Sequence, residues 1–170
     1  MNMKTFAKII LLAALVNAFI SKEYTTPSIR SNIELAKNFI ASLEACDITR
    51  IRDLTTKDFE WVFPTSPEFI PYSGTHNLDT LLNYYSNPKS NNQRYIINDT
   101  FSQNDKVSME ATYYATNLAT GEDFSNRYNF MFLIRDGKVA QYTEFFDTAS
   151  AMNTYFPGSI VVDSQDNTNK

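Results

Sequence analysis

The stretch FSNRYNFMFLIRDGKVAQYTEFFD, Phe124–Asp147, decides how the chain folds. It reads as two strands, Phe124–Arg135 and Lys138–Asp147, joined by Asp136-Gly137. An Asp-Gly pair between apolar runs marks a tight hairpin, because a type I′ turn needs φ > 0 at both central positions. Strand alternation puts Asn126, Tyr128, Phe130, Phe132 and Ile134 on one face of the first strand. Arg127, Asn129, Met131 and Leu133 fall on the other. On the second strand Tyr142, Glu144 and Phe146 share a face, opposite Thr143, Phe145 and Asp147. Both faces of the hairpin are largely apolar, so both are expected to be covered. Glu144 and Asp147 place two carboxylates where the hairpin ends.

The 170 residues suffice for one domain with a real core, and an apolar content of 43% is that of a globular chain. Only four glycines occur, which excludes a Gly-rich phosphate-cradling loop. No G-x-S-x-G nucleophile elbow is present. One cysteine, Cys46, and one histidine, His76, are too few for a dedicated zinc site, so no metal and no cofactor are expected. Cys46 reads as a small buried apolar residue. Residues 1–18 combine Lys4 and Lys8, an apolar run Ile9–Val16 and a small-residue site at Ala18. This is the pattern of a secretory signal peptide, with an uncleaved anchor as the competing reading. Cleavage after Ala18 removes two of the 15 basic residues and none of the 19 acidic ones, taking the net charge from −4 to −6. The protein is then secreted or periplasmic, free of the membrane, and too acidic for nucleic acid, whose phosphates are bound by Lys and Arg.

Residues 19–30 read as an extended lead-in. Ser31 and Glu34 form a capping box, and Ala36, Phe39, Ile40 and Leu43 follow at helical spacing to about Ala45. Asp47 caps a short second helix that turns Ile48, Ile51 and Leu54 inward. Asp58–Phe63 is a short strand, and Thr65–Thr75 a loop rich in Pro, Ser and Gly. A third helix starts at Thr75 or Asn77, with Leu78, Leu81, Leu82 and Tyr85 on its apolar face, and Asn87-Pro88 stops it. Strands then follow at Arg94–Phe101 and Val107–Leu118, with polar turns on either side, before the hairpin. Residues 148–152 could add one helical turn, and 157–170 read as a polar, disordered tail. The order is α+β: helices first, then an antiparallel meander, expected to form a strongly curved sheet with three helices in its concavity.

Three stretches carry a family resemblance. They are Glu60–Pro64 followed by Ile70–Thr75, Asn126–Tyr128 leading to Arg135–Val139, and Glu144–Thr148. Together they resemble the SnoaL-like branch of the nuclear-transport-factor-2-like superfamily over roughly Ser31 to Met152. The resemblance implies a cone-shaped domain over residues 31–156, of the cystatin-like kind, with a hydrophobic pocket. The superfamily includes ketosteroid isomerases, polyketide cyclases and members with no known activity, and its members are often dimers packed through the convex sheet face. A homodimer is therefore expected here. In the polyketide cyclases of this branch an Asp at the end of the last hairpin acts as general acid/base, and Asp147 is the matching position. The helix that carries Gln or Arg after that Asp is replaced here by TASAMNTYFPG.

Each candidate residue has a functional and a structural reading. Asp147 is either a general base with a pKa raised by burial or the cap of a turn at Thr148–Met152. Glu144 lies on the opposite strand face and either faces the cavity or pairs with Arg94 or Arg127 across strands. His76 either orients a substrate carbonyl or sits in a surface loop. Trp61, Tyr113, Tyr128 and Tyr142 line a pocket or, with Phe130 and Phe132, belong to the core. Asn98-Asp99-Thr100 fits an N-glycosylation acceptor. Two functions follow. One is a cyclase or isomerase acting on an apolar carbonyl compound by acid/base catalysis, with Asp147 as base and His76 or a tyrosine as its partner. The other is a non-catalytic binding module for an apolar small molecule or a protein partner.

Overall fold

A computed structural model describes residues 27–67, 70 and 73–155. The signal peptide at 1–18, the lead-in as far as residue 26 and the tail at 157–170 lie outside the described residues. Helix α1 spans Pro27–Glu44 and α2 Ile48–Leu54. Strand β1 follows at Thr55–Phe63, β2 at Gly74–Asn77 and helix α3 at Leu78–Ser86. Strands β3 (Ser90–Gln103), β4 (Lys106–Asn117), β5 (Asp123–Arg135) and β6 (Lys138–Phe146) come next, and α4 (Thr148–Tyr155) closes the described chain.

The six strands form one open sheet in the order β2-β1-β6-β5-β4-β3. Every pairing is antiparallel except β1 on β6, which is parallel. The sheet is therefore mixed rather than purely antiparallel. The meander β3–β6 pairs hairpin by hairpin, as its tight turns dictate. β1 arrives through a helical connection and adds to the free edge of β6. Register shifts between Ile97 and Asp99, between Leu133 and Ile134, and between Thr55 and Glu60 interrupt the ladders. Such bulges bend strands and increase twist, and they curve this sheet.

The Asp136-Gly137 turn has the expected backbone. Asp136 and Gly137 have φ of 51° and 69°, and Arg135 faces Lys138 across it. Asp47 Oδ1 accepts from the Arg50 N–H at 3.0 Å, and Asn77 Oδ1 accepts from the Thr80 N–H at 3.0 Å, so both helix starts are capped as the sequence indicates. Two starts differ. Helix α1 begins at Pro27, where a fixed φ suits the first turn, so Ser31 lies inside the helix rather than at its start. Gly74–Asn77, within a stretch read as loop and helix start, is a short edge strand on β1.

The core lies between α1 and the inner face of the sheet. Ala36, Phe39, Ile40 and Leu43 are all buried, and the Phe39 ring stands 5.2 Å from Tyr142 and 6.0 Å from both Phe59 and Phe132. The hairpin's two faces part company. Phe130, Phe132, Ile134 and Tyr142 are buried, whereas Met131 and Phe145 on the outer face are each 43% exposed. Within one chain the outer face is thus uncovered. Ile96 and Tyr114 continue it across β3 and β4, and Arg94 stacks over the Tyr114 ring.

Candidate functional site

Strand β6 sends Tyr142, Glu144 and Phe146 to the inner face, two residues apart each time. Tyr142 is packed under α1. One step further along the strand the core stops being solid, and Glu144 borders a cavity of about 80 Å³. Trp61 and Phe63 of β1, Tyr84 and Tyr85 of α3, and Tyr128 of β5 form most of its wall. Tyr95, Tyr113 and Gln93 close the far side, and Met152 and Tyr155 of α4 cover the end, with Lys89 at the rim.

Glu144 is 5% exposed. The Trp61 indole Nε1–H donates to its Oε1 at 2.8 Å. The Tyr142 hydroxyl lies beside the carboxyl and favours its charged form without reaching hydrogen-bond geometry. Among the described residues, the groups that favour the charged form are the Trp61 N–H and the Tyr142 hydroxyl. Burial therefore dominates, and it pushes Glu144 up to about 7, against an ordinary value of 4.5. Near neutral pH this carboxyl exists in both forms, the condition that suits a proton donor and acceptor.

The tyrosines around it stay protonated. Burial holds the hydroxyls of Tyr85, Tyr95 and Tyr128 well above the usual range, and the Glu144 charge adds to the effect on each. They are donors that do not ionise at physiological pH. Further out, the Tyr113 hydroxyl donates to Gln93 Oε1 at 2.9 Å and lies 3.0 Å from Ser90 Oγ. Gln93 in turn donates to Cys46 Sγ at 3.4 Å. Cys46 is thus half-buried with a polar contact, rather than a plain apolar core residue.

The structure sorts the residues singled out in the sequence. Trp61, Tyr113, Tyr128 and Glu144 come together on the cavity. Tyr142 is fully buried in the core and is not part of the cavity wall. Asp147 is exposed and its Oδ1 accepts from the Ser150 N–H at 3.1 Å, so it caps α4. Its backbone is pinned from the other side, where Asn126 Nδ2 donates to the Asp147 carbonyl at 3.0 Å and Asn126 Oδ1 accepts from the Asp147 N–H at 3.2 Å. Strand alternation lets only one of Glu144 and Asp147 face inward, and the bond from Trp61 holds Glu144 there. Neither expected arginine reaches Glu144. Arg127 pairs with Glu110 on the outer face, and Arg94 sits over Tyr114 there. His76 lies in β2 opposite Trp61, half-buried, with its ring 5.8 Å from the indole. It backs Trp61 and does not line the cavity. Asn98 is exposed on β3, at the register shift.

Sequence reasoning missed Tyr84, Tyr95, Phe63 and Phe146 as wall residues. A signal for Tyr84 existed: adjacent tyrosines on a helix point about 100° apart, so a helix with Tyr85 inward can turn Tyr84 toward one side of the same space. Nothing in the sequence marks Tyr95 as opposite Tyr85. Among the described residues no group of three or more His, Cys, Asp and Glu could hold a metal ion, and no helix is long and apolar enough to cross a membrane.

The model of the SnoaL-like domain family matches residues 36–142, well over half of the chain. No curated protein matches the sequence. Among solved structures, a protein described as a SnoaL-like polyketide cyclase from Jannaschia sp. CCS1 superposes with a TM-score of 0.66 at 13% identity, over 78% of this chain and 96% of its own. TerC, co-crystallised with polyporic acid, gives a TM-score of 0.63 at 23% identity, over 73% of this chain and 97% of its own. A protein of ketosteroid isomerase-like fold from Catenulispora acidiphila DSM 44928, in complex with trimethylamine, gives 0.61 at 14% identity, over 76% and 93%. At these identities the likeness establishes the fold alone.

Proposed function

The chain belongs to the SnoaL-like domain family, and we propose that within it this protein binds a small, largely apolar carbonyl compound and moves a proton on it through Glu144, as a cyclase or isomerase does. One observation carries this reading. Glu144 is buried inside an aromatic cavity, held by the Trp61 N–H, with a pKa of about 7. In its ionised form it accepts a proton from the carbon beside the carbonyl. The protonated form returns it at another position. The un-ionised Tyr128 hydroxyl borders the same space and can donate to the enolate oxygen formed in between. Asp147, matched to the catalytic position by resemblance, takes the structural role of helix cap, and His76 supports Trp61 from behind.

The test is exchange of the α-hydrogens of small hydrophobic ketones in deuterated water, followed by NMR. Wild type and Asp147→Asn are expected to catalyse exchange at similar rates, and Glu144→Gln to lose it by about 10²–10⁴-fold, the usual contribution of general acid/base catalysis. Equal exchange with Glu144→Gln refutes the assignment. A non-catalytic binding module is the second reading, favoured by the small free volume of about 80 Å³ that the protein's own rings leave. It predicts ligand binding without exchange.

Two further features belong to this reading. The leader at 1–18 directs export, which N-terminal sequencing of the native protein tests by finding or not finding a start near Phe19. The outer sheet face, with Ile96, Tyr114, Met131 and Phe145 exposed, pairs with a second copy. Size-exclusion with light scattering on residues 19–170 that gave a clean monomer would remove the dimer.

A further inference from the structure

The rings around the cavity make a closed circuit. Trp61 meets Phe63 at 4.6 Å between centroids, Phe63 meets Phe146 at 5.9 Å, and Phe146 meets Tyr128 at 5.2 Å. Tyr128 meets Tyr95 at 6.3 Å, and the Tyr95 hydroxyl lies close enough to that of Tyr85 to act on its ionisation. Tyr85 meets Tyr84 at 5.2 Å, and Tyr84 returns to Trp61 at 5.5 Å. All seven border the cavity, and the acidic group they share it with is Glu144.

Such an arrangement has an unmet electrostatic requirement. A buried carboxylate is costly unless paired. Here its direct support is one indole N–H and a neighbouring hydroxyl, with no ion pair to Glu144 among the described residues. Electron-rich ring faces, those of Trp and Tyr above all, attract cations within about 6 Å of their centroids. An aromatic enclosure around a buried carboxylate therefore favours a positively charged, apolar-surfaced guest over a neutral guest of the same shape.

We propose that the cavity takes a small methylated ammonium group, its methyls against the rings of Trp61, Tyr84 and Tyr128 and its charge balanced by Glu144. The inference rests on the assignment of this cavity as the ligand site but not on proton transfer by Glu144. The free volume of about 80 Å³ suits a compact head group.

The groups facing Glu144 set its pH behaviour. Tyr84 and Tyr85 approach from α3, Tyr95 from β3, Tyr113 from β4 and Tyr128 from β5, with Tyr142 beside it on β6. Tyr155 covers it from α4, Lys89 stands at the rim, and His76 lies behind Trp61. Burial keeps Tyr85, Tyr95, Tyr113, Tyr128, Tyr142 and Tyr155 un-ionised near neutrality. Glu144, at about 7, is then the switch. Cation binding selects its ionised form and expels its proton.

The experiment compares choline with its uncharged isostere 3,3-dimethylbutan-1-ol by calorimetry on the full-length protein. At about pH 8 choline is expected to bind roughly tenfold more tightly than the alcohol. Its affinity should fall by about tenfold per pH unit below neutrality while the alcohol's stays level. Glu144→Gln should abolish the preference and keep alcohol binding. If that variant does not fold, the isostere pair and pH profile on wild type decide. The proposal is overturned if the alcohol binds as well as choline, if neither binds, or if Glu144→Gln leaves the preference intact. Choline preference without ketone exchange would sustain this inference and sink the catalytic reading. Ketone exchange without choline preference would do the reverse.

Discussion

The two halves of the sheet's inner face are built from the same kind of residue and behave differently. In one, Phe39 of α1 fills the space between Phe59, Phe132 and Tyr142. In the other, α3 and α4 cover Trp61, Tyr128, Glu144 and Phe146 but leave a cavity. Tyr142 and Glu144 are two residues apart on one face of β6, and the boundary runs between them. Helix α1 supplies an apolar ridge that interdigitates with the sheet. On the other side, the covering helices contribute Tyr84, Tyr85 and Tyr155, whose hydroxyls must be satisfied and so cannot close up as hydrocarbon does. Aromatic content alone does not distinguish core from pocket. The polar tips do.

The largest expected effect breaks the packed half. Phe39→Ala should lower stability by about 3–5 kcal/mol, read from denaturant unfolding, because it opens a void among rings that cannot collapse. A loss under about 1 kcal/mol would mean that this half is as loosely filled as the other.

Next comes the pH dependence of the open half. Glu144 holds its proton more strongly folded than unfolded, with about 7 against 4.5. Below about pH 4.5 both states are protonated and its contribution is fully present. As pH rises toward about 7 the unfolded chain has already released the proton, so stability falls. Above that the loss levels off, at on the order of 3 kcal/mol. Melting temperature should therefore drop between about pH 5 and pH 8 in wild type and stay nearly flat in Glu144→Gln. A parallel drop in both proteins would put the titration elsewhere.

Trp61→Phe sharpens the same contrast. It keeps the aromatic wall and deletes the one N–H that supports the charge, so the Glu144 carboxyl should titrate about one unit higher by NMR. An unchanged titration would mean that burial and the neighbouring hydroxyl set the value by themselves. The smallest effect belongs to the other carboxylate. Asp147→Ala removes a helix cap and should cost about 1 kcal/mol without moving the Glu144 titration. A shift there would return Asp147 to the site.

Much of this was legible in the residues. The alternation of β5 and β6 assigned each side chain to its face, down to the opposition of Glu144 and Asp147. The positive φ values at Asp136 and Gly137 follow from residue identity. The caps at Asp47 and Asn77 follow from side-chain chemistry. The parallel pairing of β1 with β6 was not legible, because a strand reached through a helix carries no mark of its neighbour's direction. Nor was β2, where four residues pair only because β1 offers a free edge.

The candidate site divides the same way. Sequence determined that one carboxylate at the hairpin end faces inward, since a period of two is local geometry. It could not decide which, because both strand faces are apolar and the family pattern points to Asp147. Tertiary structure decided for Glu144 through contacts distant in the chain. Trp61 donates to it from 83 positions away, and Tyr84, Tyr95 and Tyr128 reach it from three separate elements. The pKa of a buried group depends on the solvent it loses and the dipoles it gains. Both are properties of the assembled fold, which no local reading of the chain contains.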